Sequence, residues 1–333
     1  MQCQTYPISL LLSTKVKNLS GLAHTMGVSA DTIKRELKKA PITSQDMLEL
    51  CKKAFVGKKL KLIADDVILL KEYAKVIEGV QLHYYAGKRI HVKSYCVLVV
   101  ALSDGKTIIP TSFKLYMGKG MYTKSELLIQ LLEELKSQVD IDMVLADGHY
   151  STVQMLTWLI ENGIKFEMRM HSNRKVHYKG QWCQIRELKN LKPKGKRRCR
   201  TICVNWYGLK LYITAVKYVS KLGKVTFKYQ VSNYKSSANT HVLAYKQRWA
   251  IEKFFRTGKQ SLGLQDCVMR SLQDQFQHIM NVFYAYSILQ LELRKSRSFI
   301  NPEGVVKHYR SKKCKYLKQR IRALAQNYGF AHA

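Results

Sequence analysis

The sequence predicts an α/β fold, and three observations carry that expectation. Two apolar runs, at residues 60–66 and 142–147, read as buried strands ending in carboxylates. The second is followed by a helical stretch and another strand-like run at 164–170, the alternation that builds a parallel sheet. The third is residues 241–257, which hold no Pro or Gly and are rich in helix formers such as Ala244, Gln247, Arg248 and Glu252.

Composition narrows the class of partner. A chain of 333 residues, 46% hydrophobic and with 20 Tyr, can bury a sizeable core and is globular rather than disordered. Its 57 Lys+Arg against 23 Asp+Glu give a formal charge of +34, which calls for a polyanion: nucleic acid or an anionic membrane surface. No apolar run approaches the ~18 residues of a membrane-spanning helix; residues 95–102 are about the longest. The apolar run at 8–12 lacks the charged leader and cleavage pattern of a signal peptide. Neither membrane insertion nor secretion is expected. The eight cysteines are scattered, only Cys199 and Cys203 are close, and none has zinc-site spacing, as for reduced thiols of a cytosolic protein.

Taken in order, residues 19–37 read as two short helices. Leu22, Ala23 and Met26 form an apolar face, Gly27 permits a tight turn, and Ser29 caps a second helix on which Ile33 and Leu37 sit four apart. This is the pattern of a helix-turn-helix, whose second helix would offer Ala30, Asp31, Lys34 and Arg35 to DNA, with stabilisation of the helix N-terminus alone as the alternative role of Asp31. A helical connector follows at 44–55, then the strand that ends in Asp65 and Asp66. Adjacent strand residues face opposite ways, so only one of these acids can enter a shared site, and periodicity does not choose between them.

Residues 90–101 and 107–116 read as strands joined by a Ser103-Asp104-Gly105 turn. Residues 125–138 form a helix whose Leu127, Leu128, Leu131, Leu132 and Leu135 make a core stripe. The strand at 142–147 ends in Asp147, a helix spans 151–161, and Asn162-Gly163 closes it. Between residues 172 and 235 there are 17 Lys+Arg and one acid, Glu187. A surface kept soluble would mix its charges, so Lys194, Lys196, Arg197, Arg198 and their neighbours read as a track for a DNA backbone. Strand-like stretches at 201–216 and 225–232 lie within this segment. Trp182, Trp206 and Tyr207 are stacking candidates, although core packing is the commoner use of each. An apolar helix is expected at 274–293, then a basic tail at 294–322 with 11 Lys+Arg and one Glu.

At roughly 100° per residue, Tyr245, Arg248, Glu252 and Lys259 fall within an arc of roughly 60° on one helix. A phenol, a guanidinium, a carboxylate and an ammonium on one face suit phosphate oxygens and a divalent metal. The spacing Tyr-x2-Arg-x3-Glu-x6-Lys resembles the signature of the IS4-type transposases, DDE transposases with an RNase H-like core. The resemblance covers about residues 58–290. It implies an RNase H-like catalytic core interrupted by a β-rich insertion, with an N-terminal helix-turn-helix and a helical, basic C-terminal region. The implied divisions are 1–56, 57–171, 172–236 (the insertion), 237–297 and 298–333.

Asp65, Asp147 and Glu252 are the catalytic and metal-binding acids that the resemblance implies, and its Asp-x-(β-branched) order favours Asp65 over Asp66. Tyr245, Arg248 and Lys259 would clamp DNA phosphates. Gly148-His149 departs from relatives that carry a basic residue there. Three close carboxylates repel unless cations join them, and hard oxygen donors suit Mg²⁺ or Mn²⁺, two ions per site. The implied partners are double-stranded DNA, as terminal inverted repeats and as target, and a second copy of the chain on that DNA. The implied location is the cytoplasm of a bacterial or archaeal cell, in association with the nucleoid. A structure-selective nuclease with the same core and a non-catalytic helix-turn-helix regulator are the competing readings; the regulator gives the three acids no purpose.

Overall fold

A computed structural model describes residues 5–39, 41–118, 120–296, 298–311 and 319. Helices α1 (Thr5–Leu12), α2 (Leu19–Met26), α3 (Ala30–Lys39) and α4 (Ser44–Ala54) precede strands β1 (Leu60–Leu70), β2 (Gln81–Tyr85), β3 (Ile90–Ser103) and β4 (Ile108–Tyr116). Helix α5 (Lys124–Lys136), β5 (Ile141–Ala146), α6 (Val153–Glu161) and β6 (Lys165–Met170) alternate next. Five strands follow: β7 (Lys175–Tyr178), β8 (Gln181–Gln184), β9 (Cys199–Trp206), β10 (Leu209–Val219) and β11 (Val225–Ser232). Helices α7 (Ala238–Lys246), α8 (Trp249–Ser261), α9 (Leu272–Lys295) and α10 (Pro302–Ser311) complete the described chain. The fold is mixed α/β, and its elements divide into two compact units, with the boundary inside β1 between Asp65 and Asp66.

One unit takes the residues up to Lys58, Asp66–Met121 and everything from Ala250. Its centre is α9, buried on every side from His278 to Glu292, as a helix surrounded by core must be. Helices α1, α3, α4 and α10 and strand β4 pack around it. The apolar run at 8–12 is thus a core helix, with Ile8, Leu10 and Leu11 at most 2% exposed. The hairpin β3–β4 forms as its turn residues predict, Asp104 accepting the Lys106 and Thr107 amides at 3.0 and 2.8 Å. Strand β2, which the sequence pattern did not mark, pairs antiparallel with the first residues of β3. Helices α2 and α3 flank Gly27, whose φ of 67° makes the left-handed cap that a side chain would strain. Ser29 accepts the Thr32 amide at 3.1 Å, and Ile33 and Leu37 are buried.

The other unit takes Lys59–Asp65 and Tyr122–Trp249. Strands β1, β5 and β6 run parallel, and β11, β10 and β9 extend the sheet antiparallel from β6. Helix α5 starts from a reciprocal Thr123–Glu126 capping box and buries its five-leucine stripe. The segment read as one β stretch at 201–216 is two strands. Tyr207 and Gly208, at φ 50° and 86°, form a tight hairpin turn that Asn205 closes by accepting the Gly208 amide at 3.0 Å.

Three expected boundaries move. Strand β1 does not end at Asp65-Asp66 but runs on to Leu70, because Val67 and Leu69 are apolar, branched and buried, and continue the strand. The Asp147 turn makes a short 3₁₀ turn at Gly148–Tyr150 before α6 begins. The helix expected over 241–257 is two helices, broken at Gln247-Arg248. There the Gln247 and Arg248 amides donate to Ala244 and Tyr245, three residues back, so the last turn of α7 tightens without any Pro or Gly. Residues 297, 312–318 and 320–322 of the basic tail, with seven of its 11 Lys and Arg, lie outside the described residues. Within α10, Tyr309 is a core residue at 3% exposure.

His278 ties α9 to two neighbours: its Nδ1 faces the Tyr6 hydroxyl at 2.8 Å and its Nε2 the Gly263 carbonyl at 2.8 Å. The ring therefore fits the tautomer with hydrogen on Nε2. Burial, helped by the Lys71 ammonium, lowers its pKa from 6.5 to about 3. The unfolded chain binds a proton that the folded one refuses, so stability is lost as pH falls from 6.5 toward 3. Urea unfolding at steps across that range should show this slope, and His278→Gln should reduce it.

Candidate active site

The parallel pairing of β1 with β5 decides where the two aspartates sit. The register runs Leu62 opposite Val144, Ile63 opposite Leu145 and Ala64 opposite Ala146. Asp65 is the next residue of β1, and Asp147, still extended at φ −78° and ψ 172°, is the first residue after β5, so the two acids follow directly on a pair of strand partners. Leu62, Ile63, Ala64, Val144, Leu145 and Ala146 are at most 1% exposed, so the two half-buried acids emerge from a dry, rigid base. Asp66 faces opposite to Asp65 along β1, and its Oδ2 lies 3.8 Å from the Cys96 thiol.

Arg248 reaches Asp65 from the turn after α7. Its guanidinium donates to Asp65 Oδ2 at 2.6 Å, and the guanidinium carbon lies 5.6 Å from the centre of the Tyr245 ring. The two side chains are 10% and 18% exposed, so little water screens the pair. Burial pushes the Tyr245 hydroxyl up to about 12, against the Arg248 cation that favours its ionisation. Asp147 also acts on Tyr245 in the direction of a raised pKa. Tyr245, Arg248, Asp65 and Asp147 are thus one electrostatic group within one unit.

Glu252 and Lys259 lie in the other unit, on α8. Glu252 is half-buried in the first turn of the helix. The Lys259 ammonium donates to the Ile68 carbonyl of β1 at 2.8 Å, and burial lowers its pKa. With the helix broken, Tyr245, Arg248, Glu252 and Lys259 do not share one continuous helical face. Among the described residues, no group of three or more His, Cys, Asp and Glu side chains is arranged to hold a metal ion. Asp65 and Asp147 are hard oxygen donors, the type that suits Mg²⁺ or Mn²⁺.

Of the expected DNA-facing cations, those on α3 and before β9 are exposed to solvent. Lys34 and Arg35 are exposed on α3, opposite the buried Ile33 and Leu37. Lys194, Lys196, Arg197 and Arg198 are all exposed on the loop leading into β9. Of the stacking candidates, Trp206 is core at 2% exposure. Trp182 and Tyr207 are 51% and 63% exposed, with ring centres 5.3 Å apart. His149 is exposed next to Asp147, its ring centre 5.9 Å from that of His171.

The family described as Transposase DDE domain matches residues 59–288. No curated protein matches the chain. Among solved structures, the crystal structure of the Mos1 strand transfer complex aligns with 45% of this chain and 52% of that one, at 13% identity and a TM-score of 0.20. This chain therefore spans about half the length of that one.

If Arg248 compensates Asp65, removing the guanidinium should leave a half-buried carboxylate without the cation that donates to it at 2.6 Å. Arg248→Met is expected to destabilise the protein by up to about 3–5 kcal/mol. Asp65→Asn should relieve part of that loss, giving a coupling of about 0.5–3 kcal/mol in a double-mutant cycle read from urea unfolding. A coupling indistinguishable from zero would mean the pair contributes no interaction energy.

Proposed function

Because this chain belongs to the Transposase DDE domain family, we propose that it is the transposase of an insertion sequence, cutting DNA at the element's ends and joining those ends to a target. The observation that supports the reading is that Asp65 and Asp147 directly follow Ala64 and Ala146, partners in the parallel pairing of neighbouring strands, inside the segment that matches the family. Asp65 and Asp147 are the acids we assign to the site, with Glu252 as the third on the strength of its place in the Tyr-Arg-Glu-Lys spacing. Mg²⁺ or Mn²⁺ bound to such acids would lower the pKa of an attacking water or DNA 3′-hydroxyl and stabilise the leaving oxygen at phosphorus.

The chain's own residues have separable roles in this reading. Arg248 neutralises Asp65 in the absence of DNA and can turn its guanidinium to a phosphate when a cation takes over the carboxylate. Tyr245, stacked against Arg248 and kept protonated by burial, offers a hydrogen bond to a phosphate oxygen. Lys259 supplies a further cation, and the exposed Lys194, Lys196, Arg197 and Arg198 a backbone track. The α2–α3 pair reads the terminal repeat through Lys34 and Arg35. Two copies, one on each DNA end, supply the two sites that paired cutting needs.

Short inverted repeats in the DNA flanking the coding region define the substrate. Incubated with that DNA and Mg²⁺, the wild type should release ends and join them, whereas Asp147→Asn and Glu252→Gln should bind but not cut. Cutting by either variant at the wild-type rate would overturn the site, and cutting without any joined product would favour a nuclease. Binding offers a second measurement. Replacing Lys194, Lys196, Arg197 and Arg198 by Ala should weaken binding to repeat and random DNA alike and flatten the salt dependence by up to roughly 3–4 logarithmic units per decade of salt. Deleting residues 1–40 should instead reduce preference for the repeat.

A further inference from the structure

A buried carboxylate and imidazole face each other in the unit that holds Asp65 and Asp147. Glu167, in the middle of β6, and His241, on the first turn of α7, are both 0% exposed. His241 Nδ1 and Glu167 Oε1 are hydrogen-bonded, and the Tyr234 hydroxyl donates to the same oxygen at 2.8 Å. Ser232 Oγ lies 3.2 Å from His241 Nδ1. Among the described residues, Glu167 Oε2 and His241 Nε2 are buried with no hydrogen-bond partner. Orphaned polar atoms cost stability, and apolar side chains of the same size would fill this space more cheaply. Fold stability alone therefore does not explain the pair.

Its position does. His241 and Tyr245 are one turn apart on α7 and share a face, while Glu167 and Arg169 are two apart on β6 and share another. Glu167 meets His241, and one step along, Arg169 and Asp147 both act electrostatically on Tyr245. Three residues beyond Tyr245, Arg248 turns its guanidinium onto Asp65. The contact is thus the buried anchor of the helix that delivers two of the site's side chains.

We propose that Glu167 and His241 are positioning residues: their contact seats α7 on β6, and the seated helix holds Arg248 against Asp65. The pair keeps this seat as a net-neutral unit with one proton shared between carboxylate and imidazole. A second proton, or loss of the shared one, leaves an uncompensated charge in a dry site and loosens the helix. Burial pushes the Glu167 carboxyl up, opposed by His241 and Tyr234. The other titratable groups around the pair are Tyr234 itself, Asp142 of β5, which acts on Tyr234, and Cys199 of β9, whose thiol donates to Asn239 of α7 at 3.0 Å.

The proposal rests on the transposase reading only for its activity measurement, so the decisive arm is hydrogen exchange of the full-length protein. Exchange of residues 238–249, corrected for intrinsic chemistry, should be slowest at an intermediate pH and rise on both sides. Glu167→Gln, which cannot ionise, should lose the alkaline rise. Glu167→Ala should exchange about tenfold faster in this segment while β9 and β10 change little. In the cleavage assay Glu167→Ala should lower the rate about tenfold with DNA affinity within about twofold of wild type, and Glu167→Gln should restore the rate without its alkaline loss. An exchange profile in Glu167→Gln identical to wild type at every pH would overturn the proposal, since a space-filling pair predicts that result. If Glu167→Ala does not fold, the Gln profile decides. If the wild type cuts no DNA, the transposase reading fails while the exchange result still stands.

Discussion

One parallel strand pairing sets the terms for the candidate site. Because Ala64 lies opposite Ala146, the chain cannot separate Asp65 from Asp147 without slipping β1 against β5. A one-residue slip would put Leu62 and Ala64 on the face that Ile63 now fills, and the close packing of both buried faces resists it. The protein thus holds two carboxylates together by burying the residues that precede them, and the repulsion between them has to be met by cations. Arg248 provides one of these from the turn after α7. A guanidinium suits this position because it stays charged, its fork matches a carboxylate, and the same fork matches a phosphate.

This constraint also accounts for the break between α7 and α8. A continuous helix would have spent the amides of Gln247 and Arg248 on carbonyls four residues back. Their bonds to Ala244 and Tyr245 instead tighten the helix end, from which Arg248 meets Asp65 while staying near the Tyr245 ring. Local propensity favours uninterrupted helix through this stretch, and a partly buried ion pair outweighs it.

Much of the architecture was legible because it is written in local patterns. The leucine stripe of α5, the Ser103-Asp104-Gly105 hairpin, the Gly27 turn and the strands before Asp65 and Asp147 all followed from periodicity, turn chemistry and caps. The neighbouring placement of β1 and β5 was expected only through the family resemblance, since pairing partners are non-local. What was missed depends on tertiary context. Strand β2 is short and half-exposed, so it carries no strong alternation. The continuation of β1 past Asp66 was hidden by reading two charges as a strand end. Glu167 alternates with Lys165 and Arg169 along β6, the pattern of a solvent-facing side, so nothing local in the sequence marks its burial against His241.

Acidic residues are few in a chain of this charge, 23 against 57 cations, so the placement of each carries weight. Some do local work: Asp46 and Glu126 complete capping boxes, and Asp104 accepts turn amides and the Lys58 ammonium. Asp65, Asp147 and Glu167 do no such local work: Asp65 lies on β1, Asp147 directly after β5 and Glu167 on β6, three neighbouring parallel strands within a single unit. Leu145 of β5 lies opposite Glu167, whereas Asp147 comes two residues later, so Glu167 sits one step deeper along the sheet than the two outer acids. The outer pair stays within reach of solvent and the inner acid does not. Depth along one sheet therefore separates carboxylates that can meet an incoming cation or phosphate from one that meets the protein's own imidazole and phenol. An acid at that depth cannot bind DNA, and its remaining influence runs through the helix it anchors.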